Sequence, residues 1–210
     1  TSVPSPTLFR SIDAAPELPR LVRRLSLASV PSEHIQRLDF PAGAETRLPG
    51  WDGCLVVEME TLWFPRGASK WELSVRADAV AKASDDACTR LKNTTPQERR
   101  GTCYVAVTAH RVQPETRQNW EDARRAEDWA DARFIGAAEL AQWLERTPAG
   151  AIWFAKQAGI ADGDVRTLEQ AWEAWSARSE PTTAPRLLLA GRQAQQEKLE
   201  IGRASCRERV

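Results

Sequence analysis

Residues 102–109, "TCYVAVTA", run for eight positions without a charge. A strand of this kind has no polar face to turn to water, so it must be covered on both sides. That requirement excludes a bare two-layer sheet and asks for helices above and below. The flanking sequence supplies them. On one side, "ADAVAKASDDACTRLK" sets Ala79, Ala83 and Ala87 along one side of a helix over 78–92. On the other, "PETRQNWEDARRAEDW" predicts a polar, charge-laced helix followed by a short strand, "ARFIGA".

Upstream, Leu18, Leu21, Val22 and Leu25 in "APELPRLVRRLSLAS" recur at helical spacing between Pro16 and Pro31. "HIQRLDF" and "GWDGCLVVEME" read as two strands of a hairpin, and "SKWELSV" as a third strand introduced by the loop "FPRG". Downstream, "AAELAQWLERT" and "PAGAIWFAKQAG" are amphipathic helices with tryptophan anchors, and "DVRTLEQAWEAWSAR" presents Leu168, Trp172 and Trp175 as the apolar side of a helix that closes the domain. The order predicts an α/β fold with a mixed central sheet on an αβββαβ core, flanked by helices and extended by a C-terminal helical segment. The expected divisions are a domain over 1–160, a helical extension over 161–180, a proline-bounded linker and the start of a further domain over 181–199, and residues 200–210. That last stretch, "EIGRASCRERV", looks like a translated sequencing adapter, with an ordinary basic tail as the alternative. With no initiator methionine, the chain is read as a fragment.

The 29 basic and 29 acidic residues cancel, so any nucleic-acid contact must come from a local patch. No apolar run has membrane-spanning length and no signal pattern opens the chain, which predicts a cytoplasmic protein without a membrane partner. The four cysteines lack CxxC spacing and read as reduced and structural, and the nine tryptophans as core anchors.

Two acids stand out. Asp52 opens the second strand beside glycines that let another group approach the backbone, and Glu72 lies in the third between Trp71 and Leu73. Parity puts Glu72, Ser74 and Arg76 on one face, and Trp71, Leu73 and Val75 on the other. A strand glutamate either reaches solvent or needs a partner, and a metal ion is one such partner. If the strands are antiparallel neighbours, the start of one meets the end of the other, and both carboxylates converge with the Leu73 carbonyl as an open Mg²⁺ site. The competing reading is a routine Asp-Gly turn and a solvated glutamate. Glu58 and Glu60 share the parity of Asp52 and are further ligand candidates. Arg66, Ser69 and Lys70, before Glu72, are candidate phosphate contacts or an ordinary solvated loop. His34 stands alone, while His110 beside Arg111 follows the apolar strand and offers a phosphate contact.

The segments "LPGWDG", "FPRGASKWELSV", "KASDDACTR", "YVAVTAHR" and "AAELAQWLE", in that order, resemble the PD-(D/E)XK, or restriction-endonuclease-like, nucleases. More narrowly they look like an uncharacterised bacterial family of that type, found at the N-terminus of larger multidomain proteins; the likeness runs from about Leu18 to Trp175. It implies cleavage of DNA phosphodiester bonds with Mg²⁺, or Mn²⁺, held by Asp52, Glu72 and Leu73. Nucleic-acid contacts would fall to Arg66, Ser69, Lys70, Arg76 and Arg111. The family pattern has a lysine two residues after the glutamate, where this chain has Ser74. Some members recruit that lysine from the following helix, which makes Lys82 the catalytic candidate; a solvent-facing Lys82 and a catalytically inactive recognition domain are the alternatives. "RLLLAGRQAQQEKL" is similar to the segment opening STAND-type ATPase modules. It implies an effector of bacterial antiphage defence, tethered to a missing C-terminal domain through which it forms a homo-oligomer.

Overall fold

The computed structural model describes residues 14–41, 50–159 and 168–178. The chain divides into two compact units, Thr1–Gly163 and Asp164–Val210. Within the first unit the described elements are α1 (Ala14–Ser29), a single 3₁₀ turn (Ser32–His34), β1 (Ile35–Asp39), β2 (Gly53–Val57), β3 (Gly67–Ser74), α2 (Ala79–Asn93), α3 (Pro96–Arg100), β4 (Thr102–Thr108), α4 (Pro114–Arg125), β5 (Asp131–Ile135), α5 (Ala137–Arg146) and α6 (Pro148–Gln157). In the second unit α7 (Leu168–Ser176) is described, with the Trp172 and Trp175 rings 5.1 Å apart. The expected linker over 181–199 and the stretch 200–210 lie outside the described residues. No helix among the described residues is long and apolar enough to cross a membrane.

The five strands form one mixed sheet in the order β1-β2-β3-β4-β5. β1 to β3 run antiparallel as a meander, and β3, β4 and β5 are parallel. Each parallel step needs a helical crossover, provided by α2 with α3 and then by α4. This is the α/β architecture expected, and β4 is buried at every position.

The pleat sorts side chains between two cores. On the first face Trp71, Cys103, Val105 and Val107 pack with Leu21, Val22 and Leu25 of α1 and Trp143 of α5. On the second, Tyr104 and Ala106 pack with Ala83 and Ala87 of α2 and Trp120 of α4. The alanine stripe of α2 lets that helix lie close to the sheet.

The structure adds two features. Residues 95–98, "TPQE", build a capping box: Thr95 N–H donates to Glu98 Oε2 at 2.8 Å and Glu98 N–H to Thr95 Oγ1 at 3.3 Å, nucleating α3. And α4 stops at Arg125 instead of running to Trp129, because Asp128 takes a left-handed turn (φ 69°). The turn drops Trp129 into the second core, 5.1 Å from Tyr104. Cys54, Cys88 and Cys103 are free thiols.

Candidate active site

The β2–β3 ladder ends at the pair Gly53 and Trp71. Leu73 lies two residues further on, so its N–H and C=O point toward β2 with no strand left to meet them. Asp52 fills the gap: its Oδ2 accepts the Leu73 N–H at 2.8 Å. The next residue back, Glu72, points to the second face, toward α2, and is only 7% exposed. Two acids twenty residues apart are thus drawn to one corner of the sheet. The glycine beside Asp52 does let another group approach the backbone, and that group is an aromatic side chain. A Cβ on Gly53 would overlap the Phe40 ring, so its missing side chain makes room for a core aromatic and not for a ligand. Gly53→Ala is expected to cost about 1–3 kcal/mol by overpacking, read from denaturant midpoints.

Helix α2 completes the corner. Lys82, Asp86 and Arg90 recur every fourth residue beside the alanine stripe. Lys82 pairs with Asp86, and Arg90 donates from Nε to Glu72 Oε1 and from a terminal nitrogen to the Gly50 carbonyl. The Arg90 guanidinium also lies 4.6 Å from the ring centre of Trp51. Burial pushes the Glu72 carboxyl up to about 7; the Arg90 hydrogen bond opposes the rise and the charge of Asp52 adds to it. Asp52 is also raised, chiefly by burial; the Leu73 N–H, Arg90 and Lys82 pull it down, and Asp86 pushes it up. Lys82 is therefore close enough for its charge to act on Asp52.

The donor chemistry suits a hard divalent cation. Among the described residues, Asp52 Oδ1 and Glu72 Oε2 take no hydrogen bond, and the Leu73 carbonyl faces the same side. No group of three or more His, Cys, Asp or Glu side chains able to hold a metal occurs among the described residues. A two-carboxylate site matches Mg²⁺, which keeps waters and takes substrate phosphate oxygens instead of a full protein cage.

The remaining sequence candidates separate. Lys70 shares the Glu72 face, its Nζ 5.3 Å from the Trp51 ring centre. Arg76 is exposed and turned onto Asp78, with Nε to Oδ1 at 2.8 Å, and its N–H donates to Ser74 Oγ. Arg111 is exposed just beyond β4, at the same end of the sheet as Ser74. Ser69 is no phosphate contact: it lies inside β3 and not in a loop, fully buried on the Trp71 face, donating to the Leu55 carbonyl and accepting from Trp71 Nε1. Arg66 precedes β3 at its other end, roughly 20 Å from Glu72 along the strand, where its charge acts on Glu58. Glu58 is bound there by Gln36 and faces His34, while Glu60 faces Arg133, so neither joins Asp52. His110 is a tie between loops: its Nε2 meets the Val75 carbonyl at 2.9 Å and its own carbonyl accepts from Ala137. Sequence reasoning missed Asp86 and Arg90; the four-residue repeat through Lys82 was the available signal.

The raised Glu72 fixes a pH dependence. The folded carboxyl holds its proton more tightly than the unfolded one, whose ordinary value is 4.5. The folded state therefore binds more protons between pH 4.5 and 7, and stability falls as pH rises through that window, by about 3 kcal/mol. The acids held below their ordinary range, Glu58, Asp78, Glu98 and Asp131, titrate under this window and do not mask it. Urea unfolding in chelator at pH 5 and pH 8 is expected to show the loss, and Glu72→Gln to flatten it.

No protein-family model, curated protein or solved structure matches this chain. The site must be interpreted from its own chemistry.

Proposed function

We propose that this chain carries a metal-dependent nuclease domain of the PD-(D/E)XK type, hydrolysing phosphodiester bonds in DNA. The observation that supports this most is the meeting of Asp52 and Glu72 where β2 ends, with an α2 lysine near enough to act on Asp52. Asp52, Glu72 and the Leu73 carbonyl would hold Mg²⁺ or Mn²⁺. When bound, the ion supplies Lewis-acid stabilisation of phosphate oxygens and a more acidic water. Lys82 stands in for the lysine missing at Ser74. Its pairing with Asp86 orients the ammonium, which offsets charge developing on the phosphate. Arg76 and Arg111, toward the same end of the sheet, and Lys70, on the Glu72 face midway along β3, would receive the DNA backbone. We extend the proposal to the setting: a cytoplasmic effector of bacterial defence, tethered to an oligomerising downstream module.

One observation favours a second reading. Arg90 already neutralises Glu72, as it would in a recognition domain that kept the fold and lost catalysis. Calorimetric titration of the chain with Mn²⁺, followed by incubation with plasmid DNA in Mg²⁺ or Mn²⁺, tests both. The nuclease reading expects binding that depends on Asp52 and metal-dependent nicking. Absence of metal binding and of cleavage rejects it in favour of the recognition domain.

A further inference from the structure

We infer that Arg90 is an internal competitor of the divalent cation for Glu72, and that cation binding requires its guanidinium to swing off the carboxylate. The inference rests on the metal-site reading above. Arg90 has three partners, and only one is ionic: the Glu72 carboxylate, the Gly50 carbonyl and the Trp51 ring. The last two lie next to Asp52 in sequence, so releasing Glu72 leaves the guanidinium anchored on the same corner. The other cation of the stripe, Lys82, is engaged by Asp86 and does not replace it.

The charges show why the exchange is balanced. Asp52, Glu72 and Asp86 are three carboxylates, and Lys82 and Arg90 two cations, so the corner carries one excess negative charge when all are ionised. Adding a divalent cation while Arg90 stays on Glu72 would crowd two positive groups on one carboxylate, and at a few ångströms such repulsion is worth several kcal/mol even when screened. Arg90 keeps Glu72 from being a lone buried charge in the metal-free protein. It thereby raises the metal concentration at which the site fills.

The experiment compares wild type with Arg90→Gln and Arg90→Lys, titrating Mn²⁺ by calorimetry at pH 7.5 with thermal unfolding in chelator. Glutamine keeps a donor for Glu72 and loses the charge; lysine keeps the charge. Arg90→Gln is expected to bind Mn²⁺ roughly tenfold more tightly while unfolding at lower temperature without metal, and Arg90→Lys to return toward wild-type affinity. A purely structural arginine would lower thermal stability and leave affinity equal or weaker, and that result overturns the inference while the metal site stands. If no protein in the series binds the ion, both readings fall. Should Arg90→Gln not fold, the Arg90 Nε–H resonance of wild type carries the test: it must shift when Mg²⁺ is added, and constancy at saturating Mg²⁺ overturns the inference.

Discussion

Asp52→Asn and Glu72→Gln are each expected to reduce the proposed Mg²⁺-dependent DNA cleavage by about a hundredfold to a thousandfold or more, because each removes a charged group that the proposal assigns to the metal and the reacting phosphate. Both replacements preserve the local hydrogen bonds. An asparagine oxygen can still accept the Leu73 N–H, and a glutamine oxygen can still accept from Arg90. The fold is therefore expected to survive, which circular dichroism and a thermal transition no lower than that of wild type check. Glu58→Gln, at the far end of β2 and engaged with Gln36, serves as the matched control and is expected to leave cleavage intact. Lys82→Ala should cost about tenfold to a hundredfold, less than either acid, since Ser74 and Arg76 keep some polar character nearby. Full cleavage by both acid variants would remove the carboxylate corner from the chemistry.

How much of this was readable from residues alone depends on what the strand period can and cannot encode. The charge-free run of β4 dictated covering layers on both sides, and the Ala79, Ala83 and Ala87 stripe identified one of them. Parity correctly set Glu72 opposite Trp71. The same rule, applied consistently, would have put Ser69 with Trp71 in the core; the strand "SKWELSV" already includes Ser69, and grouping it with the preceding loop set its parity aside. Glu58 and Glu60 fail for another reason. Parity selects a face and says nothing about which end of the strand a residue occupies, so a shared face left them far from Asp52. Arg90 was hidden because its reach to Glu72 depends on how α2 leans on β3, and that angle follows from the small alanines packing against Tyr104 and Ala106. The left-handed Asp128 that ends α4 was equally silent, since an aspartate in a polar helix carries no local mark of such a turn.

Trp71→Ala is expected to destabilise the first unit by about 3–5 kcal/mol, the range for deleting a large buried aromatic, lowering the thermal midpoint by roughly 10 °C. The side chain is fully buried and sits among Phe40 at 5.4 Å, Phe64 at 6.1 Å and Trp143 at 6.4 Å between ring centres. Its indole N–H donates to Ser69, which keeps its bond to Leu55 when the indole is removed, so the cost is chiefly a cavity and not an orphaned polar group. Because residues 71 and 72 of one strand face opposite cores, this variant subtracts packing without subtracting charge. Well below its midpoint, the folded fraction of Trp71→Ala should still bind Mn²⁺ as wild type does. Glu72→Gln should behave in reverse, matching or exceeding the wild-type thermal midpoint at pH 8, where wild type carries the buried charge, and losing the ion. Equal loss of metal binding in both would mean that the carboxylate corner is held in place by the first core, and that the site cannot be separated from the packing behind it.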